Sequence, residues 1–190
     1  MQTDKEARKK NCRSLFAYLG KNPRTWWLSS NRLKEAADVL RDSCWPKKKK
    51  RHDQEAATAD FRLGPVYMLL TGLAVEDALK AILVAENPHL VEEQRISTDL
   101  ATHDLRDLWG RAGLPRCRQH DQLLDCLKSF VTFARYPVSK TKQSMGTMIE
   151  ASFQEESDFA AVTRLWASME RHMKKSIPGL IEETENADAS

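Results

Sequence analysis

Residues 65–86, PVYMLLTGLAVEDALKAILVAE, constrain this chain more than any other stretch: an apolar segment of helical length that holds Glu76 and Lys80 among its leucines. At about 100° per residue, Leu69, Leu73, Glu76, Lys80 and Leu83 fall on one narrow stripe. An acid and a base four residues apart therefore lie where a core or an interface is expected. An unpaired carboxylate or ammonium is costly to bury. The two charges either pair with each other, which Glu placed N-terminal to Lys at this spacing favours, or serve a site. In the first case they are a strut inside a helix bundle; in the second they mark a place where binding or chemistry occurs.

The rest of the pattern is helical too, with no clean alternation long enough for a strand, and the expected fold is all-α. A first helix is expected over residues 5–19, with Cys12, Leu15, Phe16 and Leu19 on one side and Gly20 and Pro23 after it. A second, over residues 25–43, shows Trp26, Leu33, Ala36, Ala37, Leu40 and Cys44 on one face and stops at Pro46. A polar connection over residues 46–60 leads to the helix that opens at Pro65. Thr102 then caps a short helix, THDLRDLWGRAG, with Asp104 in its first turn. A helix over residues 120–135 stops before Pro137, and a loop of about twenty residues (138–156) follows, longer than most connections in a compact domain. Ser157 caps a last helix whose Phe159, Val162, Trp166, Met169 and Met173 form a packing seam, read as core. The sum is an antiparallel up-and-down bundle of four to five helices plus a short one. Residues 1–178 form a single domain and 179–190 an acidic, disordered tail.

No apolar run is long enough and free enough of charge to span a membrane, because Glu76, Asp77 and Lys80 interrupt the best one. The charged opening MQTDKEARKK is no signal peptide, and four irregularly spaced cysteines make no disulfide framework, so a cytoplasmic protein with reduced thiols is expected. The net charge of +3 comes from 30 basic and 27 acidic side chains, so distribution matters more than the sum. Glycines number 7 and none cluster, which argues against a nucleotide cradle of backbone N–H groups, and hydrolase elbows and dinucleotide fingerprints are missing.

Three groups of residues bear on function. Lys47, Lys48, Lys49, Lys50 and Arg51 form a basic block able to grip phosphates by charge alone. Trp45 beside it offers a stacking face, and Arg106, Arg111, Arg116 and Arg118 would widen the basic surface. His103 and Arg135 are the best pair for metal-independent RNA cleavage, which needs an acid–base group near neutral pH and a cation for the phosphorane charge. Their bland readings are a packing or capping histidine and a helix-end cation. Cys117, His120 and Cys126, with Cys44 as a fourth, carry soft and imidazole ligands but lack the paired cysteine spacing of zinc ribbons, so no metal and no cofactor are assigned.

Taken in order, the long N-terminal amphipathic helix, AVEDALKAILVA, HDLRDLW and FARYP resemble the HEPN family over residues 25–175. The resemblance implies an antiparallel helical bundle that binds nucleotides or cleaves RNA in toxin–antitoxin, abortive-infection and CRISPR systems, commonly as a homodimer. It also implies an antitoxin or nucleotidyltransferase partner. The family's catalytic signature, Arg and His with four to six residues between them, is not met: Arg116 and His120 have three between them, Arg164 and His172 seven, and Arg171 and His172 are adjacent. The expectation is thus a HEPN-like protein that binds RNA, nucleotide or a partner protein without cutting, with Glu76, Lys80 and Tyr136 lining the cleft beside His103 and Arg135. The alternatives are a metal-independent endoribonuclease using Arg135 and His103, and a structural protein–protein adaptor. Replacing Lys47, Lys48, Lys49 and Lys50 by Ala should weaken RNA binding and flatten its salt dependence in a filter-binding titration; unchanged affinity would remove this block from the binding surface.

Overall fold

The computed structural model describes residues 2–44, 54–133, 156–177 and 179. Among the described residues are six α-helices: α1 (Gln2–Lys21), α2 (Pro23–Cys44), α3 (Gln54–Glu86), α4 (Leu105–Arg111), α5 (Arg118–Phe133) and α6 (Glu156–Ser176). A 3-10 turn at Pro88–Leu90 follows α3, and Val91 and Ile96 form an isolated antiparallel bridge. The fold is all-α. No helix among the described residues is long and apolar enough to cross a membrane. Lys47 to Arg51, Trp45, Arg135, Tyr136, nearly all of the 138–156 loop and, apart from Gly179, the 179–190 tail lie outside the described residues.

Helix starts follow local chemistry. Pro23 opens α2, where its missing N–H costs nothing, and the Asn22 side chain accepts a hydrogen bond from the Arg24 N–H at 3.0 Å. α4 is capped by Asp104, which accepts from the Asp107 N–H at 3.2 Å, not by Thr102 as the sequence suggests. The Thr102 hydroxyl instead accepts from the Asp104 N–H at 3.0 Å and so supports the cap. Gly113, at φ +65°, lets the chain leave α4 in a conformation other residues resist. α3 begins at Gln54, eleven residues before the expected start at Pro65. The helix formers Gln, Glu and Ala ahead of the proline carry the helix through it, at the cost of one backbone hydrogen bond.

α3 is the axis of the bundle. α2 lies antiparallel along it, with the Ser30 hydroxyl donating to the Ala74 carbonyl at 2.6 Å and the Ser29 hydroxyl to Asp77 at 2.7 Å. α5 approaches so closely that a Cβ on Gly72 would stand 2.6 Å from a Val131 methyl and 3.1 Å from the Leu127 carbonyl oxygen. The α6 seam is core: Val162, Trp166, Met169 and Met173 are buried, and Phe159 meets Tyr67 edge-on at 5.3 Å. Trp166 also stacks on Trp27 at 5.7 Å. The expected face of α2 holds in large part: Ala37 is buried and Trp26, Leu33 and Leu40 are half-buried against the core, while Ala36 is exposed and Trp27 and Ser30 are buried as well.

α1 lies at the edge of the bundle. Its apolar side is not covered: Leu15 is 57% exposed, Phe16 39%, Tyr18 68% and Leu19 42%, and Cys12 is exposed as well. The helix meets the bundle at its C-terminal end, where Gly20 lies against Val91 so tightly that a Cβ would come within 2.7 Å of its methyl. Trp26 Nε1 donates to the Gly20 carbonyl at 2.8 Å and fixes the turn into α2. Trp27→Ala should cost ~3–5 kcal/mol in urea unfolding, the range for emptying a buried aromatic site, and Trp26→Ala distinctly less.

Candidate functional site

Glu76 and Lys80 sit one turn apart on the surrounded part of α3, only 5% and 7% exposed. Lys80 Nζ donates to Glu76 Oε1 at 2.6 Å, which realises the paired strut. The same carboxylate also holds His103, whose Nδ1 lies 2.9 Å from Oε2 and 3.1 Å from Oε1. His103 arrives from the segment between the 3-10 turn and α4, immediately before the Asp104 cap. Lys128 of α5 pairs with Asp104, so the strand of chain carrying the imidazole is tied to α3 on one side and α5 on the other. Burial alone would raise the Asp104 carboxyl, but hydrogen bonds from the Lys128 ammonium and the Asp107 and Arg106 backbone outweigh it and hold it below its usual range.

A carboxylate can only accept, so the proton of a neutral His103 belongs on Nδ1 and its Nε2 carries the free lone pair. The His103 side chain is 45% exposed. One edge of the ring thus rests on a buried carboxylate while the remainder meets solvent. This is the arrangement in which an acid orients an imidazole and stabilises the imidazolium once it takes up a proton. Lys80 also lies 5.8 Å from the Trp26 ring centroid. Beside Glu76, burial pushes the Asp77 carboxyl above its usual range, opposed by the hydrogen bond from Ser29. Glu76 and Asp77 thus both stand near the Lys80 ammonium.

Of the residues singled out from sequence, the structure brings Glu76, Lys80 and His103 together; Arg135 and Tyr136 lie outside the described residues. The arginines expected to widen a basic surface are largely matched by acids. Arg106 pairs with Asp125 at 2.7 Å and with Asp121 at 3.5 Å. Arg116 reaches Asp121 at 3.5 Å, and Arg111 reaches Asp107 at 3.6 Å and donates to the Asp99 carbonyl. Arg118 is exposed. The Cys117 sulfur accepts from the His120 N–H at 3.5 Å, and the His120 ring lies edge-on to Trp109 at 5.2 Å. Among the described residues no three His, Cys, Asp or Glu side chains are grouped to hold a metal ion. The Asp104–Lys128 tie and the place of Trp26 beside Lys80 have no sequence signal, because 24 and 54 residues separate the partners.

No family model, curated protein or solved structure matches the chain.

Removing one partner of a buried pair strands the other charge, whereas removing both leaves an apolar contact. Glu76→Leu should therefore lower stability by ~3–5 kcal/mol, and adding Lys80→Met should recover most of the loss. Urea unfolding of the two single variants and the double variant measures this; additive losses would show that the pair is not coupled.

Proposed function

We propose that this chain is a HEPN-like helical protein acting on RNA, with His103 as the acid–base group of a metal-independent endoribonuclease and Glu76 as the residue that orients it. The Glu76–His103 contact carries the reading: a buried carboxylate at 2.9 Å fixes the Nδ1 of an imidazole whose side chain is 45% exposed. In such a cleavage the ribose 2′-oxygen attacks phosphorus and the 5′-oxygen leaves. His103 Nε2 takes the proton from the first oxygen or, as the imidazolium, gives one to the second. The charge on the phosphorane calls for a cation, and Arg135 and the Lys47 to Arg51 block are the residues that the sequence offers. HEPN resemblance supplies RNA as the substrate and a defence or toxin–antitoxin setting, with an antitoxin or nucleotidyltransferase as partner.

A second reading is favoured by Lys80. Because Glu76 accepts from both Lys80 and His103, the three side chains also serve as a finished tie between α3 and the start of α4, in a protein that binds RNA, nucleotide or a partner without cutting.

Incubation of a labelled mixed-sequence RNA with the purified protein in the presence of a chelator separates the two. Cleavage reduced ~10²–10⁴-fold by His103→Ala, and strongly by Glu76→Gln and Arg135→Ala, is expected from an acid–base centre. Wild-type protein that leaves the RNA whole, or cleavage indifferent to His103→Ala, would overturn the nuclease reading in favour of binding.

A further inference from the structure

A phosphorane formed at His103 needs a cation, and the contacts that hold His103 in place lead to one. Lys80 is only 7% exposed and committed to Glu76. Arg106, three residues after His103, is shared between Asp125 and Asp121. Lys128 of α5 differs from both: its side chain is 40% exposed, and its ammonium pairs with the carboxylate of Asp104, the residue next to His103. An ammonium has three donors, and Asp104 Oδ2 takes one of them. Ion pairs this open to solvent hold weakly, so Lys128 can turn to a phosphate oxygen at small cost. Asp104 then still accepts from the Asp107 N–H at 3.2 Å and keeps its place as the cap of α4.

The packing of α5 on α3 brings the two groups to one level of the bundle. α5 comes closest to α3 at Gly72, where a Cβ would meet a Val131 methyl and the Leu127 carbonyl oxygen, and Lys128 follows Leu127 in the sequence. Glu76, which holds the imidazole, is one turn along α3 from Gly72, a rise of about 6 Å. We infer that Lys128 is a further catalytic residue of this site, the cation that contacts a non-bridging oxygen of the scissile phosphate while His103 moves the proton. The inference rests on the nuclease reading of Glu76 and His103 and adds the charge that reading calls for. As the bond from the 2′-oxygen to phosphorus forms and the bond to the 5′-oxygen breaks, negative charge gathers on the non-bridging oxygens. Lys128 stays protonated throughout and meets that charge.

Single-turnover cleavage of a labelled mixed-sequence RNA by the full chain, with a chelator present, tests it. Lys128→Met should lower the rate at saturating protein about 10²-fold, the loss on removing one group that stabilises the transition-state charge. Its urea midpoint should stay close to that of the wild type, because the pair it breaks is exposed. Lys128→Arg should recover most of the rate. Asp104→Asn keeps a good helix cap and frees the ammonium, so it should cleave at least as fast as the wild type. If Lys128 served only to hold Asp104, Asp104→Asn would be as slow as Lys128→Met, and that result overturns the inference. So does a Lys128→Met protein as fast as the wild type; in both cases the nuclease reading stands as long as His103→Ala is inactive. Wild-type protein that leaves the RNA whole overturns the nuclease reading and the role of Lys128 with it.

Discussion

Between Thr71 and Val84, α3 is buried at every position except Leu73 and Asp77, which are half-buried, so every charge in that stretch must be met inside the bundle. Glu76 and Lys80 meet each other, and that local pairing is what allows a helix with an acid and a base in its middle to serve as the axis. The remaining packing follows from surrounding it. Ser30 and Ser29 bring α2 on by bonding to Ala74 and Asp77, Gly72 admits α5 at close range, and the Trp27–Trp166 stack seats α6. A carboxylate has more acceptor capacity than one ammonium uses, and the leftover capacity of Glu76 is what draws His103 in.

What could be read from the sequence was what depends on neighbours along the chain. Helical period, the α6 seam, the stop after Gly20 and the i,i+4 pairing of Glu76 with Lys80 are all encoded within a turn or two, and each appears in the structure. Errors arose where a choice depends on distant residues. Trp26 and Trp27 are equally apolar, and partners outside α2 tell them apart, the Trp166 ring for the buried Trp27 and the Gly20 carbonyl for the half-buried Trp26. Pro65 reads locally as a helix start, yet α3 already runs from Gln54 and passes through it. The apolar side of α1 has the spacing of a buried face, and periodicity alone does not say which surface covers it. In the site, Glu76 and Lys80 were legible as a pair. His103 was legible as a chemical type and, through the family resemblance, as a neighbour of that pair, but its bond to the Glu76 carboxylate was not, because a 27-residue excursion returns it to α3.

The end of α1 and the candidate site are joined by one aromatic ring. Trp26 holds the last turn of α1 through the Gly20 carbonyl at 2.8 Å, and its face lies 5.8 Å from the Lys80 ammonium. Lys80 in turn donates to Glu76 at 2.6 Å, and Glu76 holds His103 at 2.9 Å. The direction in which α1 leaves the bundle and the orientation of the imidazole are therefore set by one contiguous series of contacts. Such contiguity fixes position; it transmits a signal only if some member has two arrangements of similar energy. Glu76, Lys80 and Trp26 each have their polar atoms engaged, which favours one arrangement. The half-exposed His103 is the member freest to change, so a rearrangement there stays local to the cluster, while the geometry of α1 stays as Trp26 sets it.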